Sequence, residues 1–134
     1  MNHEASFAGV RVLIADDSNT IRRSADVFLR KAGCEVMFGE DGFDALSKIP
    51  GFKPDLIFVD IMMPKLDGYQ VCAVVKQNPR FHNTPVVMLT SKDNLFDRAR
   101  ARLLGANDYL TKPFTRESLL GAVSVHVRGS AARV

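Results

Sequence analysis

The 134 residues, 46% hydrophobic and 25% charged, suffice for one globular domain with its own core and are too few for a multidomain enzyme. The formal charge of +3 comes from 18 Lys and Arg against 15 Asp and Glu, and Arg128 and Arg133 in the acid-free end of the chain supply most of it, which argues against a nucleic-acid or membrane surface. No apolar run is long enough to cross a bilayer and the opening MNHEASFAG lacks the regions of a signal peptide, so a cytoplasmic protein is expected.

Residues 1–8 read as a loose tail, 9–127 as the folded domain and 128–134 as a second tail. Residues 10–15 (VRVLIA) predict a first strand that runs into Asp16 and Asp17. Ile21, Ala25, Phe28, Leu29 and Ala32 follow at steps of three and four, an apolar stripe on a first helix, with Gly33 where a left-handed terminal residue is wanted. Cys34 and Cys72 lie far apart without a CxxC partner and are expected as reduced, partly buried thiols. Residues 34–38 (CEVMF) predict the second strand, 55–59 (DLIFV) a third that leads to Asp60, and 85–89 (PVVML) a fourth that leads to Thr90 and Ser91. Phe96, Ala99 and Leu103 recur at helical steps and predict an apolar stripe on a fourth helix, followed by Gly105. Residues 107–110 (NDYL) predict a fifth strand, followed by Lys112 and Pro113. Thr115 with Glu117 and Ser118 suits the start of a last helix, whose stripe is Leu120, Val123 and Val127.

The third and fourth runs are apolar at nearly every position, the pattern of strands covered on both faces, so the fold class is α/β with a parallel, doubly wound sheet. Such sheets place ligands at the carboxyl ends of their strands, where the winding reverses. If the strand order is 2-1-3-4-5, Asp16, Asp17 and Asp60 converge on one crevice. Adjacent Asp residues also cap helices and occupy solvated turns. A third carboxylate after a fully apolar strand shifts the balance toward a cation site, and an all-oxygen set of this kind suits Mg²⁺. Thr90 and Lys112 add a hydroxyl donor and an ammonium at the same edge. Singly they read equally well as a capping hydroxyl and a solvated lysine; together with the acids they suit a doubly charged phosphoryl group. Asp60 is the best nucleophile, because no Ser or Cys sits in a nucleophile elbow and His3, His82 and His126 lie in a tail, a loop and the last helix.

The segments LIADDSNTIRR, DLIFVDIMMPKLDGY, PVVMLTSKD and GANDYLTKPF resemble, in order and spacing, the receiver domains of two-component response regulators over about residues 9–127. The segments GFDAL, DGYQVCA and SKDNLFDRA look most like the single-domain regulators of type IV pilus chemosensory systems, which serve twitching motility. The resemblance implies a (βα)5 flavodoxin-like sandwich of order 2-1-3-4-5. It implies Asp60 as phosphoacceptor, Asp17 as a direct Mg²⁺ ligand with Asp16 beside it, and the backbone carbonyl of Met62 as a third protein ligand. Thr90 and Lys112 match the phosphate-contacting pair, Tyr109 the aromatic whose rotamer couples to that threonine, and Lys112-Pro113 a cis peptide bond. Met62 and Lys92 occupy positions that influence how long the phosphoryl group survives, and the apolar Met62 implies a slow release.

The function so implied is acceptance of a phosphoryl group from a chemosensory-type histidine kinase, with output by protein binding through the fourth helix, fifth strand and fifth helix, no nucleic acid and no membrane being engaged. The chain is no enzyme in its own right, beyond assisting its own phosphotransfer and dephosphorylation. A monomer is expected, with dimerisation on phosphorylation left open. Arg98, Arg100 and Arg102 read either as a surface for an acidic partner or as a solvated face. An FMN carrier of the same architecture fits poorly, since DDSNT presents carboxylates where its phosphate needs donors. A small aspartate-nucleophile phosphatase fits poorly as well, since Met62 stands where its second acid belongs. The competing readings are the receiver module of a longer transcriptional or enzymatic regulator, and a flagellar-motor regulator of chemotaxis.

Overall fold

The computed structural model describes residues 7–91 and 95–132, with the backbone alone for residue 95 and residues 128–132. Short β-branched runs alternate with helices as β1 (Arg11–Ala15), α1 (Asn19–Lys31), β2 (Glu35–Gly39), α2 (Gly42–Phe52), β3 (Leu56–Asp60), α3 (Gly68–Gln77), β4 (Val86–Thr90), α4 (Leu95–Leu103), β5 (Asp108–Thr111) and α5 (Arg116–Ala132). The five strands form one parallel sheet in the order β2-β1-β3-β4-β5. Successive side chains leave a strand on opposite faces. Val12, Ile14, Leu56, Phe58, Val87 and Leu89 accordingly pack beneath α1 and α5, while Leu13, Ala15, Ile57, Val59, Val86 and Met88 pack beneath α2, α3 and α4. β3 and β4 are buried at every position. Cys34 and Cys72 are buried free thiols; burial, reinforced by Asp55, pushes Cys34 up to about 11.

Four strands run one residue beyond their apolar runs, ending at Gly39, Asp60, Thr90 and Thr111. Sheet pairing carries them there: Asp60 sits opposite Leu89 and Thr90 opposite Thr111. Asp60 and Thr90 are therefore terminal strand residues held by the ladder. Asp16, Asp17 and Lys112 stand just past their strands.

α1 starts at the N-cap Ser18, whose hydroxyl accepts from the Ile21 N–H, and buries Ala25 and Leu29. α3 starts with a reciprocal capping box between Asp67 and Gln70. α4 turns the stripe expected of it outward: Phe96 is 76% and Leu103 86% exposed, Ala99 is exposed too, and Ala101 is the residue that reaches the core. The helix presents its small residue to the core cluster that also holds Tyr69 and against which Tyr109 packs. The amino-terminal segment is tied in by Phe7 N–H donating to the Ala32 carbonyl (2.8 Å), with Phe7 packed on the α1–α5 side. At the other end, α5 continues to Ala132 across non-helical dihedral angles at Val127, the position where the sequence suggests the domain closes.

Candidate functional site

Three strand ends bring the acids together. Asp16 follows β1, fully buried, its N–H bound to the Gly39 carbonyl and its own carbonyl held by Arg22 Nη1 at 2.6 Å. Its Oδ1 accepts from the Ser18 N–H (2.9 Å), so it also shapes the entry to α1. Asp17 is exposed beside it. Asp60 closes β3, 4% exposed, with Oδ1 accepting from the Met62 N–H at 3.3 Å. The carboxylate oxygens offered by Asp16, Asp17 and Asp60 lie within 4.8 Å of one another.

Lys112 reaches into this group from the end of β5. Its Nζ is 3.1 Å from Asp16 Oδ2 and 3.2 Å from Asp60 Oδ1. Its N–H donates to the Thr90 carbonyl at 2.6 Å, and the Lys112-Pro113 peptide bond is cis. The Lys112 ammonium thus contacts two of the three carboxylates. Burial, with the negative charge of Asp16 added to it, pushes Asp60 up to about 6 in spite of Lys112. Burial works against the Lys112 charge as well, yet Asp16 and Asp60 outweigh it and hold this lysine above its ordinary range. The surplus negative charge and the all-oxygen donors fit a hard divalent cation bound by a few carboxylates.

Of the residues singled out from sequence, Asp16, Asp17, Asp60 and Lys112 are brought together directly. Thr90, 6% exposed, ends β4 beside them in the sheet. Met62 directs its side chain outward, 76% exposed. Tyr109, half-buried, lies one strand residue after Asp108, with the Arg98 guanidinium 5.3 Å above its ring. Arg100 is likewise engaged, 4.3 Å over Tyr69, so two of the three α4 arginines cover the protein's own tyrosines. Lys92 lies outside the described residues. His126 contacts Asp108 at 2.8 Å, away from the acids.

Two contributors escape a reading by residue chemistry. Arg22 fixes the Asp16 carbonyl from the first turn of α1. Gly68 opens α3 against the Asp60 peptide: a Cβ there would collide with the Asp60 carbonyl oxygen and stand 2.8 Å from the Ile61 Cα. The visible signal is the Asp-Gly pair at 67–68, an N-cap followed by a residue free of a side chain.

A parallel sheet with acids on two neighbouring strand ends, a strand-end Thr and a Lys followed by a cis proline define a receiver. Residues 12–124 match the response regulator receiver domain, and the chain belongs to that family. Among its relatives, protein PilG of Pseudomonas aeruginosa is 58% identical over 124 residues, 92% of both chains. The alkaline phosphatase synthesis transcriptional regulatory protein PhoP of Bacillus subtilis is 39% identical over 120 residues, 90% of this chain and 49% of that one. Among solved structures, the Vibrio cholerae chemotaxis protein CheY4 superposes with a TM-score of 0.85 at 33% identity, covering 89% of this chain and 99% of that one. The receiver domain of the sensor histidine kinase PA1611 of Pseudomonas aeruginosa, which holds a magnesium ion in its active site cleft, superposes with a TM-score of 0.83 at 28% identity, covering 90% and 99%.

Proposed function

We propose that this response regulator accepts a phosphoryl group on Asp60 from a phosphohistidine of a chemosensory-type sensor kinase and relays the signal by protein binding, in control of type IV pili and twitching motility. The observation that carries the chemistry is the convergence of Asp16, Asp17 and Asp60 on one point, with Lys112 reaching both buried acids. A carboxylate oxygen of Asp60 attacks phosphorus in line, the bond from phosphorus to the histidine nitrogen breaks, and the neutral imidazole leaves. Asp16, Asp17, Asp60 and the Met62 carbonyl would hold Mg²⁺, which would supply charge neutralisation for the phosphoryl oxygens. The Lys112 ammonium, already on Asp60, offsets the same charge, and the Thr90 hydroxyl donates to a phosphoryl oxygen. In this way the chain assists its own phosphorylation and the later hydrolysis, with Met62 slowing the latter.

Phosphorylation biases the chain between two conformations by its differential interaction with them. Thr90, Tyr109 and Pro113 form the switch, and the face of α4, β5 and α5 is the output surface. Phe96, Ala99 and Leu103 are exposed on that helix, which supports α4 as part of the output surface. Among the described residues no helix is long and apolar enough to cross a membrane; a cytoplasmic monomer, able to dimerise on phosphorylation, fits the kinase partnership. The 58% identity to PilG over 92% of both chains supports the pilus assignment over the flagellar one. The likeness to PhoP, of which this chain spans 49%, supports a second reading as the receiver module of a longer transcriptional regulator.

Beryllofluoride with Mg²⁺ tests the chemistry: the wild type binds it and Asp60→Asn does not, and binding by both would refute Asp60 as acceptor. A pull-down with the activated protein tests the pathway. A pilus-motor or chemosensory protein retained only in the activated state supports it, whereas recovery of a transcription complex supports the second reading.

A further inference from the structure

α4 is thinly anchored. Among its described side chains Ala101 is the buried one, while Phe96, Ala99 and Leu103 face outward. Its hold on the body lies instead in two tyrosines, one on each flank. On the β5 flank, Arg98 covers Tyr109. On the α3 flank, Asp97 and Arg100, one turn apart, both address Tyr69: its hydroxyl donates to Asp97 Oδ1 at 3.4 Å, and the Arg100 guanidinium stands 4.3 Å over its ring. Tyr69 is 6% exposed and packs among the core residues between the sheet and α3. Its predecessor is Gly68, which abuts the Asp60 carbonyl and whose N–H donates to the Ile61 carbonyl at 3.0 Å. An unbroken line of contact therefore runs from the Asp60 peptide through Gly68 and Tyr69 to Asp97 and Arg100, with Tyr109 close enough to act on the Tyr69 hydroxyl electrostatically.

We propose that Tyr69 is a positioning residue that latches α4 to the phosphoacceptor's own loop, a brake on the switch that acts beside the Thr90–Tyr109 pair. The inference rests on Asp60 being the phosphoacceptor. The latch is closed in the conformation in which Lys112 still contacts the Asp60 carboxylate. It stabilises that conformation against the one in which Lys112 attends to a phosphoryl group, and opening it shifts the population toward the latter. Burial comes first and Asp97 second in raising the Tyr69 phenol above its ordinary range, in keeping with a hydroxyl held beside a carboxylate.

The chain has two tyrosines and no tryptophan, so in a Tyr109→Phe background the phenolate absorbance reports Tyr69 alone. Asp97→Asn in that background is expected to move its titration down toward 10.0; an unmoved titration would show that the contact does not form in solution. The brake itself is read from beryllofluoride affinity in Mg²⁺, with Tyr109 intact. Tyr69→Phe keeps the ring and loses the hydroxyl, and Asp97→Asn leaves the core untouched, so the second variant decides the matter should the first fold poorly. Each is expected to bind the analogue about fivefold more tightly than the wild type, and the double variant no more tightly than either single one. Unchanged or weaker binding, or additive gains, would overturn the latch while leaving the phosphoacceptor reading intact. Binding by Asp60→Asn would instead overturn that reading.

Discussion

Gly68 lies so close to the main chain of Asp60 that no side chain fits between them, which makes the start of α3 the backing of the proposed phosphoacceptor. Backbone cannot yield as a flexible side chain can, so Gly68→Ala must push α3 away from the end of β3. We expect a loss of about 1–3 kcal/mol in urea unfolding, as for other overpacked sites, together with slower phosphorylation. A variant as stable and as reactive as the wild type would show that the loop absorbs the methyl group.

Asp60 gives a pH dependence of unusual sign. Its carboxyl is raised from 3.8 to about 6, first by burial and then by Asp16, so the folded protein binds this proton more tightly than the unfolded chain. Its ionisation therefore penalises the fold above pH 6, and the penalty fades as the pH falls from about 6 toward 3.8. In EDTA at pH 7.5, Asp60→Asn is expected to be more stable than the wild type by roughly 1–3 kcal/mol, the advantage disappearing toward pH 4. Denaturant midpoints measured at both pH values check the sign.

Asp17 offers a clean test of the cation, because it is exposed and its removal costs the fold little. Mg²⁺ at a hundredfold excess over its Kd should stabilise the wild type by about 2.7 kcal/mol. Asp17→Asn should keep the melting temperature of the metal-free wild type and lose most of the shift on adding Mg²⁺. Equal shifts in both proteins would place the ion elsewhere.

The outward crest of α4 leads to a further contrast. Phe96→Ser and Leu103→Ser are expected to change stability by no more than about 0.5 kcal/mol, as surface substitutions do. Phe58→Ala, beneath α1 and α5, should cost about 3–5 kcal/mol. A large loss at Leu103 in thermal unfolding would mean that α4 turns the other way.

Much of this architecture was legible because apolar density identifies strands covered on both faces, as at residues 56–59, and because Asp16, Asp17, Asp60 and Lys112 carry charge that an apolar run excludes. The strand ends were less legible for the same reason. Asp60 and Thr90 interrupt the hydrophobic pattern, although the sheet ladder continues through them. The helical spacing of Phe96, Ala99 and Leu103 made α4 legible as a helix but not its orientation, because spacing alone does not tell a stripe that faces the core from one that faces solvent. Gly68 was legible only in part: the Asp-Gly pair at 67–68 marks an N-cap, but the need for a residue without a side chain there is visible only once Asp60 stands behind it.

The central claim, that Asp60 carries the phosphoryl group, is tested most directly by treating the protein with acetyl phosphate and Mg²⁺ and locating the adduct by peptide mass spectrometry. One acyl phosphate on Asp60 in the wild type, released by neutral hydroxylamine, and none in Asp60→Asn, is the expected result. An adduct on any other residue, or one that persists in Asp60→Asn, would contradict it.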